Sequence, residues 1–409
     1  MTNVNDILKK INSFIIFFLF LHLFAVNVSI ALASISFGIW GGLWVIELII
    51  RKKFFIDKQV RKILLIPNIF LIIYIFSEII SRIFAVIPEG ALIDLKRLLL
   101  FSVFFVSIEK FEDSLSFTKF FLILLVLNSL LSTFETIRFF YEIIIGFKQL
   151  DTSQNRLGYF THPITTGELK MLIFITAFPL IFAKNELAKK IRIYILLLLV
   201  PLFISMIITF SRNVILATVI CLLLFTLIYN KKAFFFSVII LIIIWVVSPY
   251  QVKERYKSIF DLHHESNKAR IVMWETGIKI FLDHPIIGTG DNEFTEIYKR
   301  YKNIEYVGEG SHLHNNFLMT LATTGIIGFI GLTGFMLTLF IRQIQILKNT
   351  KKDIHKKFII GSILAFISFN IAGIFECNFT DWEVVSLFLF ILSFPFIIFR
   401  IENKNIKDG

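Results

Sequence analysis

Apolar runs near twenty residues long alternate along the whole chain with short polar connections. Twelve can be read, at about 13–27, 30–50, 62–82, 98–110, 117–137, 167–184, 191–209, 213–229, 233–249, 315–341, 357–375 and 384–400. A bilayer core asks for about twenty apolar residues per helix, so the pattern predicts an all-α polytopic membrane protein of about 12 transmembrane helices. Two connections are too long for turns, about 138–166 and about 250–314. The chain divides accordingly. Residues 1–249 hold nine predicted transmembrane helices and the shorter loop. Residues 250–314 form a long loop with helical pieces such as "KARIVMWETGIKIFLDH", and 315–409 hold three further helices and a tail. Loops of this size are uncommon unless they carry function. The first residues, "MTNVNDILKK" with "ALAS" further on, imitate a cleavable leader. The apolar stretch runs on to Ile50, however, which predicts a retained pair of helices.

Composition agrees with the pattern. Of 409 residues 56% are hydrophobic, 49 are phenylalanine and only 18% are charged, which excludes an ordinary soluble domain. The net charge of +12 lies in short basic clusters between the apolar runs. That is the signature of membrane topology and predicts no nucleic-acid partner. With both termini inside, the inner segments carry 25 of the 42 Lys and Arg, the short outer connections 8 and the long loop 9. The asymmetry predicts cytoplasmic termini and places both long loops on the outer face. Cys221 lies in an apolar run and Cys377 in a short connection, so a buried thiol and a loop thiol are expected, with no disulfide between them.

Ionisable residues at the spans gather at the predicted outer ends: Glu78 with Arg82, Lys96 with Arg97, Glu135 with Arg138, Glu168 with Lys170, and Arg212. Midspan charge, the mark of transporters, is nearly missing. Spacings of three and four predict structural pairs Glu78/Arg82 and Glu135/Arg138. Arg212, in "ITFSRNVIL", has no acid within ten positions on either side. It either snorkels or meets an anion supplied from elsewhere, and the second reading is favoured at such depth. Arg270, in "ESNKARIVMWETG", follows the candidate helix caps Ser266 and Asn267 and precedes Trp274 by one turn. Alone it reads as a loop arginine against Trp274 or Glu275. Converging with Arg212 and Lys96 on one outer pocket, it would make a site for phosphate groups.

"HLHNNF" places His312, His314, Asn315 and Asn316 at the predicted outer threshold of a long apolar helix. A His-x-His pair can bind metal, but no carboxylate or cysteine accompanies it at a zinc-like spacing, so no metal is expected. Two readings stay open: one histidine as a proton acceptor from a hydroxyl, with Asn315 or Asn316 capping the helix, or a merely polar cap in the headgroup zone. Gly325, Gly328, Gly331 and Gly334 recur every three residues and predict close helix packing.

The stretches "RLGYFTHPITTGELKMLI", "TFSRNVILA", "SNKARIVMWETGIKIFLDHPIIGTGDNEF", "HLHNNFLMTLATTGIIG" and "GIFECNFTDWEV" resemble, in order, the O-antigen ligase/polymerase superfamily. The resemblance implies a GT-C-like fold and an inverting glycosyl transfer from undecaprenyl diphosphate at the periplasmic face of the bacterial inner membrane, without metal or nucleotide cofactor. By position it implies His314 as the residue activating the acceptor hydroxyl. Arg212 and Arg270 would hold the diphosphate, with Lys96 helping. His312, Asn315, Arg156 and Asp381 would support them, and Glu383 shares the acidic connection. The expected activity is an O-antigen ligase, joining the lipid-linked glycan to a lipid A-core acceptor among membrane lipids. A polymerase extending lipid-linked repeat units is the sister alternative, and a lipid-linked oligosaccharide flippase a rival from another class.

Overall fold

A computed structural model of the 409-residue chain describes residues 2–52, 57–146, 151–183, 187–302 and 312–408. Parts of the predicted basic segments (53–56, 184–186), of the shorter loop (147–150) and of the long loop (303–311) lie outside the described residues. The helices are α1 (Thr2–Ala25), α2 (Ile30–Arg51), α3 (Lys58–Ile83), α4 (Phe101–Lys110), α5 (Ser114–Ile145), α6 (Pro163–Ala177), α7 (Lys189–Ile208) and α8 (Arg212–Tyr229). There follow α9 (Lys231–Val247), α10 (Tyr250–Lys257), α11 (Glu265–Asp283), α12 (Phe294–Tyr301), α13 (Asn316–Asn349), α14 (Asp353–Ala372), α15 (Trp382–Leu392) and α16 (Phe394–Asp408). The protein is an all-α polytopic membrane protein.

Among the described residues, ten helical segments are long and apolar enough to cross a bilayer. The other two predicted runs are also helical. One is α9, with 17 residues, or roughly 25 Å at 1.5 Å per residue. The other is α4, only 10 residues long and preceded by a 3-10 turn at Ile93–Leu100.

Burial orders these helices. Segments Pro163–Phe182 and Trp382–Lys404 are almost wholly enclosed, whereas α9 buries no residue. Side chains such as Ile228 and Val247 stand exposed on the periphery. An apolar rim of this extent has lipid as its solvent. The centre is rich in stacked phenylalanines, among them Phe369 and Phe388 with ring centroids 3.8 Å apart.

The glycine spacing does what it predicts. A Cβ on Gly331 would stand 2.6 Å from the Tyr74 amide nitrogen, and one on Gly334 would stand 2.3 Å from the Phe70 ring, so α13 lies directly against α3. At Gly325 the helix breaks, with φ +64° and ψ −167°, a conformation open to glycine alone. The loop "HPIIGTG" fills that break. Thr289 N donates to Ala322 O (3.0 Å), Gly290 N to Thr323 O (2.9 Å), and Ile326 N to Pro285 O (2.9 Å). Gly288 is required there, because its Cβ would sit 2.3 Å from the Thr323 carbonyl carbon. The long loop is thereby pinned to α13, and its own small core of Met273, Ile280, Phe294, Ile297 and Tyr298 rests against Leu313, Met319 and Cys377.

Charge pairing departs from expectation at one of the two predicted pairs. Glu78 and Arg82 pair at 3.2 Å, and Arg82 reaches Asp291 of the long loop at 2.9 Å. Glu135 does not pair with Arg138. It is buried and takes Lys170 of α6 at 2.5 Å, while exposed Arg138 bonds Glu142 at 2.8 Å. The helix turns Glu135 inward and Arg138 outward, so their spacing of three does not bring them together. Glu168, grouped with Lys170 at an outer helix end in the sequence, instead accepts from Asn213 at 2.9 Å. Cys221 and Cys377 are free, and Cys377, though in a connection, is buried.

Candidate active site

Two groups of side chains meet around the connection 373–381, which joins α14 to α15 and packs on the start of α13. The first begins with Asn315, which caps α13: its Oδ1 accepts from Phe317 N (2.9 Å) and Leu318 N (3.0 Å). Its amide donates to Ile374 O (3.1 Å), and its backbone N–H to Cys377 Sγ (3.3 Å). Asn316 N donates to Gly373 O at 2.8 Å, and its side chain bonds Asn378. These bonds fix the connection over the helix start and bring Glu376 to the histidines. His312 Nε2 lies 2.9 Å from Glu376 Oε1, and His314 Nδ1 lies 3.0 Å and 3.1 Å from the two carboxylate oxygens. The imidazole centroids are 4.2 Å apart. His314 holds this position with φ +47°, a backbone conformation that costs a non-glycine residue of order 1–3 kcal/mol. Burial opposes ionisation of Glu376, but hydrogen bonds from both histidines and their charge prevail and hold its carboxyl below the usual range.

The second group is a cavity of about 140 Å³ lined by Arg156, Arg212, Arg255 and Arg270 together with Ser211, Asn213, Ser266, Asn267 and Phe375. None of the described residues lining it is an acid. Arg212 is the first residue of α8, after a turn whose Phe210 has φ +48°. Its guanidinium donates to Ser258 O (3.1 Å), Ser258 Oγ (2.9 Å) and Ser266 Oγ (2.5 Å). Arg156 braces the same turn, donating to Thr209 O and Ser211 Oγ at 2.9 Å each, and Arg255 donates to Phe210 O at 3.2 Å. Arg270 lies on α11, and its buried Nε has no hydrogen-bond partner. Burial lowers the pKa of Arg156 to about 10, helped by repulsion from Arg255, and burial likewise lowers Arg255 and Arg270. Four guanidinium groups in one cavity, with no carboxylate among its described lining residues, make a site for an anion.

The two groups share a field. Arg156 and Arg270 both feel the charge of Glu376, and His162 feels Arg156, Glu376, Asp381 and His312. Phe375 lines the cavity and packs against Trp274 of α11 at 6.3 Å.

Of the residues singled out in the sequence, His312, His314, Asn315, Arg156, Arg212 and Arg270 come together here. Asp381 borders them, accepting from Thr165 Oγ1 at 2.5 Å, with its Oδ1 buried and without a hydrogen bond. Lys96 is not brought to the arginine cavity. It stands exposed on the 3-10 turn, its nearest acid being Asp94 at 3.8 Å, while neighbouring Arg97 bonds Asp291 at 3.1 Å. The α11 cap is His264, whose Nδ1 accepts from Ser266 N at 3.3 Å, and neither Ser266 nor Asn267 serves. Sequence reading passed over Glu376, Arg255 and His162. Glu376 sits in a stretch it singled out, "GIFECNFTDWEV", five residues before the acid it chose.

Comparison with known proteins bears on this same region. Residues 196–333 match the family described as O-Antigen ligase. The matched segment carries Arg212, Arg270, His312 and His314, covers less than half of the chain, and bears out the resemblance read from the motifs. The Exopolysaccharide production protein ExoQ of Rhizobium meliloti (strain 1021) is 30% identical over 100 residues, a match spanning 23% of this chain and 23% of that protein.

Proposed function

We propose that the protein transfers a glycan from a polyprenyl diphosphate, undecaprenyl diphosphate in the expected setting, to a hydroxyl of a lipid A-core acceptor at the periplasmic face of the inner membrane: an O-antigen ligase. The observation that carries this reading is the arginine cavity, with no acid among its described lining residues, beside a histidine held by a buried carboxylate. Arg212, Arg270, Arg156 and Arg255 compensate the negative charge that grows on the departing diphosphate, which is electrostatic catalysis. Glu376 accepts the Nδ1 proton of His314, fixing the tautomer so that Nε2 takes the acceptor hydroxyl's proton as the new glycosidic bond forms. The activated anomeric bond supplies the driving energy and the displacement inverts the anomeric centre. The donor's tail stays in lipid while its charge lies at the helix ends, which suits an amphiphile.

The polymerase reading, in which a second lipid-linked unit is the acceptor, uses the same site. A glycolipid gel of a deletion strain separates them. The ligase reading expects long chains left on the carrier and missing from lipid A-core, whereas single-unit lipopolysaccharide would indicate a polymerase. A flippase is disfavoured because the grouped residues are reactive ones at helix ends.

A further inference from the structure

The sequence offers His-x-His without a third ligand; folding supplies it from 62 residues downstream. We propose that His312, His314 and Glu376 form a binding site for a borderline transition cation of the Zn²⁺ class, and that filling it silences the enzyme. Ligand atoms of these three residues all lie within 4.8 Å of one another. The two imidazole nitrogens sit 2.9–3.1 Å from the Glu376 oxygens. Three tetrahedral bonds of about 2.1 Å would put donor atoms about 3.4 Å apart, so a cation asks the carboxylate to move back from the imidazoles by a few tenths of an ångström. Glu376 Oε1 also accepts from Cys377 N at 3.1 Å, which anchors the carboxylate between the two imidazoles. The histidines are about 30% exposed (32% and 27%) and the carboxylate 10%. The site is therefore reachable from solvent while its anchor is buried.

Two imidazoles and one carboxylate select zinc, cobalt or nickel over magnesium or calcium, which prefer all-oxygen shells. The cation takes the place of the protons shared between the histidines and Glu376. With Nδ1 on the metal, His314 is locked into a positively charged complex, and its ring proton moves from Nδ1 to Nε2, which no longer accepts one. The silencing half rests on His314 being the proton acceptor of the transfer reaction, whereas the binding half does not.

The test uses full-length protein in nanodiscs, stripped with chelator and titrated with Co²⁺ while its visible absorption is followed. One Co²⁺ per chain is expected, displaced by Zn²⁺ and unaffected by Mg²⁺. His312→Asn and Glu376→Gln should each weaken binding by at least about tenfold, with elution profile and melting temperature checking that both variants fold. In parallel, transfer by the wild type should fall as Zn²⁺ fills the site and return with chelator. Absence of the cobalt band, or binding unchanged in both variants, overturns the site. Transfer that is lost in chelator and restored by Zn²⁺ overturns the silencing. A protein that binds Co²⁺ as described yet transfers no glycan supports the site and removes only the transfer reading.

Discussion

In the proposed reaction His314 acts through the hold of Glu376, which His312 shares. Replacing it with Ala should lower transfer by about 10²–10⁴-fold, the usual worth of a positioned proton acceptor, measured with purified protein and a lipid-diphosphate donor. Glu376→Gln keeps the shape of the contact but removes the charge, so its loss should appear mainly in kcat, with the donor KM little changed. The same carboxylate gives a pH signature. Its folded pKa lies below the ordinary 4.5, so its contribution to stability is full above about pH 4.5 and is lost as pH falls through the folded value. Melting temperature in detergent should therefore drop on the acid side for the wild type and drop less for Glu376→Gln. An identical acid limb in both would show that Glu376 is not held in this way.

At the scale of elements, the break in α13 at Gly325 and the loop "HPIIGTG" position the site. Gly288→Ala adds a methyl group that meets the Thr323 backbone at a left-handed φ. It should cost on the order of 1–3 kcal/mol in stability and reduce activity as well, by loosening the long loop that holds Arg270. Full stability in that variant would contradict the docking of loop on helix. Glu135→Ala removes the ion partner of buried Lys170, leaving it only its bond to Ser132, and should destabilise by roughly 3–5 kcal/mol, read from thermal unfolding. These elements divide what sequence reveals from what it hides. Periodicity and length mark the spanning helices, and the glycine repeat announces a close helix contact without naming its partner, α3, because both are local patterns. The Glu135–Lys170 pair and Glu376 are invisible locally: each depends on which face of a helix turns inward or on which connection folds over which helix start. Lys96 fails for the same reason, since a short 3-10 turn aims it to solvent.

For the whole molecule, the proposed reaction requires that the histidine–carboxylate group and the arginine cavity face one compartment, the periplasm, with both termini in the cytoplasm. Cys221 and Cys377 are buried, so single cysteines at Leu262 and at Lys351 can be probed with a membrane-impermeant thiol reagent in intact spheroplasts. Labelling is expected at Leu262 alone, and labelling at Lys351 alone would invert the topology. The central claim is that one outer site joins a proton-accepting imidazole to guanidiniums that grip a diphosphate. Its most direct test is glycan transfer in proteoliposomes by the wild type, His314→Ala and Arg212→Ala, with donor binding measured in each. His314→Ala is expected to bind donor and to transfer at least about a hundredfold more slowly, whereas Arg212→Ala loses both. Transfer at the wild-type rate by either variant would contradict it.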